Sequence, residues 1–501
     1  IIIPFLSFII DGDINNIPFG NHLTLLLNIF DIENLLIFLT FLILIVYICK
    51  NLFLIYLRWW SYNFVNQLVY FLENRLFNNY LKQKYLKVIS TNSSEKLRNI
   101  RHETSSFAKY LNSTIVIIIE SMVFIGILLL IFFVYTLGSI ISLIVFGFIA
   151  YAFYLGSKKL LIKWSEKRIF HSGKSIKILM EAFNAIKEVK IFRKENFFIK
   201  NFSYHVKNSL KFNTWFNTYN ETPKIFSEII VIIFICSFTI YMSTEGLTKK
   251  DILTSLALFA VAAIRLLPST TRIISSMNVC KSALPSIDIL LNELKDEVKS
   301  EENEFSKKSF LEIKDKINFS NVSFFYPNQT LAILEKVNFK INKGEMIGIS
   351  GDSGSGKSTL INLLIGLIEP TSGKIFFDDE LMSNNLNVNI GYISQETLLL
   401  DNSIKYNIVF GEDAERFDER KLSEAIKIAD LEELILSLES GFDTFIGEKG
   451  LKISGGQRQK IAIARALYAN SNILIFDEAT NQIDEKTEVK IFENLRKIGK
   501  D

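Results

Sequence analysis

The residues best suited to chemistry lie in a glycine-rich segment, GDSGSGKST at residues 351–359. An apolar run, MIGIS at 346–350, precedes this segment, and a run with helical spacing follows it. A glycine-rich loop between a strand and a helix presents backbone N–H groups to phosphates, which is the P-loop arrangement. Lys357 is then placed for the β- and γ-phosphates and Ser358 for Mg²⁺. The predicted phosphate-binding residues are Gly351, Asp352, Ser353, Gly354, Ser355, Gly356, Lys357, Ser358 and Thr359.

A second candidate site is an apolar strand that ends in two acids, ILIFDE at 473–478. At the carboxyl end of a buried parallel strand, Asp477 can reach the Mg²⁺ of a P-loop, and Glu478 can polarise the attacking water. An acid after a core strand is often only part of a solvated loop. Because this strand follows a P-loop, we interpret it as the metal-binding and catalytic strand.

A third segment, ISGGQ at 453–457, directly precedes a helical run. Its glycines make a second helix N-terminus that can hold an anion. A single P-loop has no local need for two such sites. We therefore expect a dimer in which Ser454, Gly455, Gly456 and Gln457 of one subunit close over the nucleotide of the other. The alternative is an ordinary capped helix start.

These motifs require a parallel sheet flanked by helices, so the second part of the chain is predicted to be an α/β P-loop NTPase domain. The first part is different, because it contains five apolar runs of the length that spans a bilayer, about 20 residues. Residues 1–10 are too short to cross and indicate the outer end of a truncated first span, giving a six-helix membrane domain. The five runs lie at 35–57, 111–136, 138–156, 225–242 and 252–276.

The loops between these runs fix the expected orientation. Residues 80–110 hold seven bases and two acids, and residues 158–212 hold fourteen bases and four acids. The alternate loops together hold only two bases, both within 243–251. By the positive-inside rule, the two long basic loops and everything after residue 276 are predicted to be cytoplasmic.

Composition supports a two-part chain and excludes several classes. The 501 residues are 49% hydrophobic and include 43 Phe, which argues against disorder and against an ordinary soluble protein. The net charge of +3 combines +12 over residues 1–300 (32 basic, 20 acidic) with −9 over residues 301–501 (24 basic, 33 acidic). An acidic second part lacks the clustered basic residues that bind nucleic acid, so no nucleic-acid partner is expected. Cys49, Cys236 and Cys280 have no metal-type spacing.

The ordered motifs resemble those of an ABC-transporter ATPase domain. The resemblance covers residues 310–501, and six spans before one ATPase domain extend it over the whole chain as an ABC exporter half-transporter. We therefore expect domains at 1–292 and 310–501, with a charged linker at 293–309. The matching segments are 351–359, Gln395, ISGGQ at 453–457, ILIFDEAT at 473–480 and TFIGEKG at 444–450.

The resemblance also implies roles for residues that the motifs alone do not explain. Tyr326, which precedes Pro327, matches the aromatic residue that stacks on adenine. Gln395 matches the glutamine that contacts Mg²⁺ and takes part in catalysis with Glu478 and Lys357. The family's D-loop reads SALD, whereas NQID stands here at 481–484, so the dimer contact there is expected to differ. Short coupling helices are implied near 94–103 and 192–198.

One departure concerns histidine. The family's switch histidine follows the D-loop helix, whereas His22, His102, His171 and His205 all precede the ATPase domain. The chain also starts with Ile1 rather than Met. We therefore interpret the sequence as a fragment that is open at both ends, with a C-terminally incomplete ATPase domain and reduced hydrolytic capacity.

Four cations in or beside the spans could hold an anionic headgroup: Lys50, Lys224, Arg265 and Arg272. Charges inside a membrane are costly and are usually functional. A belt of cations in a cavity suits a phosphate or pyrophosphate group. The alternative is pairing with Glu120 or Glu228, or extension of the side chains to the interface.

The segment AIRLLPSTTRII at 263–274 and the long acidic loop at 11–33 resemble the PglK-type lipid-linked oligosaccharide flippases. This resemblance implies an inner-membrane homodimer, powered by ATP and Mg²⁺, that moves a polyprenyl-diphosphate oligosaccharide. Alternatives are an exporter of peptide, drug or lipid A, and an ATP-gated regulatory subunit with weak hydrolysis.

Overall fold

The structure is a computed structural model that describes residues 35–134, 136–244, 249–295, 313–327, 329, 331–382, 388–412 and 417–498. The chain divides into two compact units. The first comprises Ile1–Lys82 and Thr91–Lys299, and the second comprises Gln83–Ser90 and Ser300–Asp501. The expected first span at 1–10, the acidic loop at 11–33 and residues 296–309 of the linker lie outside the described residues.

The first unit is built from helices, five of them long. The predicted spans lie on the long helices, and Tyr135, within the span at 111–136, lies outside the described residues. Within the described residues, two stretches are long and apolar enough to cross a membrane, Thr40–Lys82 and Ser93–Leu129. The helices are α1 (Leu35–Lys82), α3 (Ser93–Arg98), α4 (Thr104–Val134), α5 (Thr136–Asn184), α6 (Ile186–Ile191), α7 (Glu195–Thr244) and α8 (Lys249–Lys295), with a π-helical turn at Asn99–Glu103.

Helix α8 is the centre of this unit, since it packs against α4, α5 and α7. Val231, Leu266 and Ile274 form a buried apolar cluster between α7 and α8. Many large apolar side chains of α1 point outward instead, including Leu52, Phe53 and Ile55. An apolar exterior of this kind is normal for a helix that faces lipid rather than water.

The loop after α1 is fixed by buried polar contacts. The Asn99 amide donates to the Tyr80 hydroxyl (3.1 Å) and to Oε1 of Glu293 (3.2 Å), and so joins the π-helical turn to α1 and α8. Burial raises the pKa of Tyr80. Arg98 forms an ion pair with the buried Glu103 (3.2 Å). Residues 94–103, expected by resemblance to contain a coupling helix, are therefore held within the first unit.

Helix α2 (Tyr85–Ser90) instead lies in the second unit. Tyr85 and Leu86 pack against a core cluster of that unit, and Lys84 forms an ion pair with Glu369 (3.1 Å). We call Gln83–Ser90 the inserted segment. The structure thus assigns residues 94–103 to the first unit and the inserted segment to the second, and a coupling helix near 94–103 stays a prediction.

Two histidines meet between α5 and α7. The Nδ1 atoms of His171 and His205 lie 3.0 Å apart, so one ring donates and the other accepts. The rings of Phe170 and Phe212 pack against His171. Burial, His205 and Lys167 together hold the pKa of His171 below its ordinary value.

This pair predicts acid sensitivity of the first unit. Because the pKa of His171 is lower in the folded chain than its ordinary 6.5, the unfolded chain takes up more protons as the pH falls below 6.5. The contribution of neutral His171 to the free energy of unfolding is therefore fully present above pH 6.5 and is lost as the pH falls below that value. Thermal unfolding in detergent on both sides of that pH should show the loss. His171→Asn should flatten the dependence, whereas His102→Asn, at an exposed position, should leave it intact; equal slopes in both variants would contradict the assignment.

The second unit contains two sheets. An antiparallel sheet has the order β2-β1-β3-β4, and a parallel pair is formed by β5 and β6. The strands are β1 (Lys316–Phe324), β2 (Leu334–Asn342), β3 (Ser372–Phe377), β4 (Glu380–Leu381), β5 (Ile390–Ile393) and β6 (Ile473–Phe476). The helices are α9 (Lys357–Leu364), α10 (Ile404–Val409), α11 (Glu419–Ile428), α12 (Glu432–Ser437), α13 (Gly455–Tyr468) and α14 (Glu485–Ile498), with 3₁₀ turns at Gly441–Asp443 and Glu448–Gly450.

The strand expected directly before the P-loop is not part of either sheet. The apolar run at 346–350 was predicted to be a strand, but it has no regular structure, and Met346, Ile347 and Ile349 are exposed. An apolar run becomes a strand only when a neighbouring strand completes its hydrogen bonds. Among the described residues no strand pairs with this run, so the P-loop is reached through an extended segment.

Candidate functional site

The P-loop begins helix α9 as predicted. Gly356 caps this helix with φ of +92°, and a Cβ there would lie 3.0 Å from the side chains of Ile333 and Leu334. Glycine is therefore required at this position for both backbone and space. The Lys357 ammonium folds back over the loop and donates to the carbonyl oxygens of Gly351 (2.6 Å) and Asp352 (2.9 Å). The loop and its lysine thus form one hydrogen-bonded unit at the helix N-terminus.

The two acids at the end of β6 lie where the sequence places them, beside Gln395. The Gln395 amide donates to Oε2 of Glu478 (2.8 Å), although 83 positions separate the two residues. Asn481 lies at the limit of hydrogen bonding to the same oxygen (3.5 Å). Glu478 adopts a left-handed conformation with φ of +49°. Strained backbone of this kind is common at functional sites.

Tyr392 is a site residue that the sequence reasoning missed. Its hydroxyl donates to Oδ2 of Asp477 (2.9 Å). Burial, this hydrogen bond, the charge of Asp477 and the nearby Tyr85 phenol raise the pKa of Tyr392 to about 12. The hydroxyl therefore stays protonated and is the donor. The available signal was an aromatic hydroxyl on the strand before Gln395, three residues upstream.

The residues predicted to hold Mg²⁺ have suitable chemistry. Asp477 contributes a carboxylate, Ser358 a hydroxyl and Gln395 an amide oxygen, and Mg²⁺ prefers such hard oxygen ligands. Tyr392 engages one oxygen of Asp477, and Gln395 bonds Glu478 through its nitrogen. These two bonds do not involve Oδ1 of Asp477 or the amide oxygen of Gln395, which are the atoms that would bind Mg²⁺. Among the described residues no group of three or more His, Cys, Asp or Glu could form an all-protein metal site. Proteins usually bind Mg²⁺ through one or two carboxylates together with substrate phosphates, and Asp477 supplies one such carboxylate.

The segment ISGGQ forms a capped helix start, which was the alternative interpretation from the sequence. The Ser454 hydroxyl accepts a hydrogen bond from the backbone N–H of Gln457 (3.2 Å). In return, the backbone N–H of Ser454 donates to the side-chain oxygen of Gln457 (2.8 Å). This capping box begins α13. A Cβ on Gly455 or Gly456 would meet Gln482, at 2.0 Å from its side chain or 2.7 Å from its carbonyl oxygen. NQID therefore packs directly on this segment.

Tyr326 lies beside the P-loop helix. Its hydroxyl is 3.4 Å from that of Thr359, and its ring packs edge-on against Phe324 with centroids 5.0 Å apart. This placement brings an aromatic ring close to the P-loop. Binding of adenine by Tyr326 stays a prediction.

The candidate substrate cations do not share one environment. Arg272 forms an ion pair with Glu120, one of the two alternatives that the sequence left open. Lys50 is exposed on α1 and lies 4.8 Å from the centroid of the Tyr47 ring. Lys224 is exposed on α7. Arg265 belongs to α8, and its side chain lies outside the described part of the chain.

Comparison with known proteins agrees with the fold. Residues 334–481 match the family model described as ABC transporter. The structure of a bacterial Atm1-family ABC exporter with ATP bound aligns with a TM-score of 0.69 and 21% identity, over 87% of this chain and 77% of that one. The fold is therefore that of an ABC exporter, with a helical region followed by an ABC transporter ATPase domain.

Curated relatives match part of the chain. The uncharacterized ABC transporter ATP-binding protein YfiB of Bacillus subtilis is 41% identical over 36% of this chain and 32% of its own length. The ATP-dependent lipid A-core flippase of Coxiella burnetii is 37% identical over 47% and 40%, respectively. The leukotoxin translocation ATP-binding protein LktB of Mannheimia glucosida is 41% identical over 42% and 30%. The chain thus spans about a third of the length of the curated relatives it matches.

Proposed function

We propose that the chain is an ABC exporter half-transporter that works as a homodimer in the inner membrane and uses ATP and Mg²⁺ to move an amphipathic substrate. The observation that carries this proposal is the hydrogen bond between Gln395 and Glu478 (2.8 Å). This bond joins two motifs that are distant in sequence at the end of the strand predicted to bind the metal. The exporter fold supplies the context for coupling this site to transport.

In this proposal the residues of the site have different tasks. Lys357 and the loop amides hold the β- and γ-phosphates, while Ser358, Gln395 and Asp477 hold Mg²⁺. When bound, the cation would supply positive charge that neutralises the transferring phosphoryl group. Glu478 polarises the attacking water, and Gln395 fixes one of its carboxylate oxygens so that the other can face that water. Tyr326 stacks on the adenine ring.

We infer that a second copy of the chain is needed, because a single P-loop has no local need for the second anion-binding helix start that ISGGQ forms. In the dimer, Ser454, Gly455, Gly456 and Gln457 of one subunit face the nucleotide of the other. Both units also have exposed apolar side chains that a partner could cover. These include Ile191, Phe192 and Phe197 around α6, and Leu398 and Phe445 in the second unit.

We propose a lipid-linked substrate with a phosphate or pyrophosphate group, of the polyprenyl-diphosphate oligosaccharide type. Support comes from Arg272, whose side chain is about half exposed although it pairs with Glu120. A guanidinium can keep one carboxylate contact and still donate to a phosphate through its remaining N–H groups. Peptide, drug or lipid A export is the alternative, and the names of the relatives are equally consistent with it.

Charge reversal distinguishes a pyrophosphate-linked lipid substrate from the alternative substrates. Arg272→Glu and Arg265→Glu should each reduce flipping of a pyrophosphate-linked lipid in proteoliposomes by roughly tenfold or more, since a charge-assisted hydrogen bond contributes about 1.5–3 kcal/mol. The matched control is the swap Arg272→Glu with Glu120→Arg, which restores the ion pair but moves the cation to α4. If the swap restores flipping, Arg272 has a structural role, and the proposal that these cations bind the phosphate group of the substrate is wrong.

The regulatory alternative makes a different prediction about ATP hydrolysis. A transporter should hydrolyse ATP faster when its cargo is present, because cargo favours the closed dimer. A regulatory subunit should show no stimulation. ATPase activity in proteoliposomes with and without the lipid therefore distinguishes them, and activity that is measurable but unresponsive to every lipid, peptide and drug tested would contradict transport.

A further inference from the structure

We propose that Tyr392 is a positioning residue for the Mg²⁺ ligand Asp477, and that the inserted segment holds Tyr392 in place. This inference rests on the proposed function, since it requires a metal–nucleotide complex at Asp477. Neither the comparisons nor the motifs assign a role to Tyr392 or link it to residues 83–90.

The strand register places Tyr392 and Asp477 on one face of the parallel pair. Tyr392 on β5 is opposite Ile475 on β6, and Asp477 follows Ile475 by two positions. Since side chains alternate along a strand, Ile475 and Asp477 point to the same side as Tyr392. The distance of 2.9 Å between the hydroxyl and Oδ2 of Asp477 follows from this register.

The hydrogen bond limits how the carboxylate can rotate. It engages Oδ2 and stabilises the ionised form, which is the form that binds a cation. Partners that orient a metal ligand in this way affect metal affinity about 10- to 100-fold when they are removed. Tyr392 itself need not touch the metal or the nucleotide.

The inserted segment packs on the core cluster to which strands β5 and β6 contribute. Tyr85 and Leu86 pack on the core cluster that contains Ile475, with Ile390 at its edge. The Tyr85 phenol is also close enough to act electrostatically on Tyr392. The ion pair of Lys84 with Glu369 fixes the start of the segment. Displacement of the segment would therefore remove the Tyr85 phenol from the neighbourhood of the residue that orients Asp477.

The test measures metal binding rather than turnover. A fluorescent ATP analogue is titrated with Mg²⁺ on the full chain in detergent, and Tyr392→Phe should raise the Mg²⁺ concentration for half-maximal enhancement about tenfold. Binding of the analogue without metal should be unchanged. Tyr468→Phe is the matched control, because Tyr468 also donates to a carboxylate, that of Glu412 (2.6 Å), which is not a predicted metal ligand.

A double-mutant cycle tests the role of the inserted segment. Tyr85→Ala should raise the Mg²⁺ concentration for half-maximal enhancement several-fold in the wild-type background. It should cause no further increase in the Tyr392→Phe background. Equal effects in both backgrounds would overturn the link to the segment. Unchanged Mg²⁺ dependence in Tyr392→Phe would overturn the positioning role while leaving the proposed function intact. Absence of nucleotide binding by the wild-type chain would instead contradict the proposed function, and this inference with it.

Discussion

Glu478→Gln is expected to lower ATP turnover by at least about 100-fold while leaving ATP binding intact. The glutamine has the same shape and can still accept the hydrogen bond from Gln395. It lacks the negative charge that polarises the attacking water. The P-loop contacts of Lys357 lie outside this change, so nucleotide affinity should be preserved and the ATP-bound dimer should accumulate.

Two measurements check this expectation together. Phosphate release reports turnover, and retention of labelled ATP after gel filtration reports the closed dimer. Glu488→Gln on α14 is the matched control, since it removes an acid in the same unit outside the predicted site. Unchanged phosphate release in Glu478→Gln would contradict the role of Glu478, and loss of ATP retention would show that the carboxylate is needed for binding.

Features determined by neighbouring residues could be predicted from the sequence. Helix α9 and strand β6 follow from local hydrophobic pattern and from glycine at 356, and both lie where the pattern indicates. The long helices of the first unit follow from their apolar length. The resemblance to ABC ATPase domains assigned Gln395 and Glu478 to one site, but it did not predict the hydrogen bond between them.

Features determined by distant partners could not be predicted. The contact of Tyr392 with Asp477 depends on the register of two strands that are about 80 positions apart. The packing of Tyr85 depends on an apolar surface formed by residues of the second unit that lie more than 200 positions further along the chain. The run at 346–350 has the composition of a strand, yet composition does not supply the neighbour that completes one. Arg272 had two possible acidic partners in the sequence, and only the packing of α8 on α4 selects Glu120.

Gly456→Ala should reduce ATP hydrolysis strongly although it adds one methyl group. The new Cβ would lie 2.7 Å from the carbonyl oxygen of Gln482, a backbone atom that cannot move aside as a side-chain end can. Overpacking of this kind costs about 1–3 kcal/mol. If that cost falls on the closed dimer, where this helix start faces the partner's nucleotide, hydrolysis should fall roughly 5- to 150-fold.

Two alanine variants separate this steric effect from a general loss of stability. Gly348→Ala introduces the same methyl group where no atom lies within 4 Å, so it should be neutral. Gly455→Ala meets the end of the Gln482 side chain, which can rotate away, so its effect should be smaller than that of Gly456→Ala. Addition of Gln482→Ala should rescue Gly455→Ala but not Gly456→Ala, because only the former clash involves the side chain. Equal rescue of both would show that the side chain, rather than the backbone of residues 481–484, sets the position of the helix start.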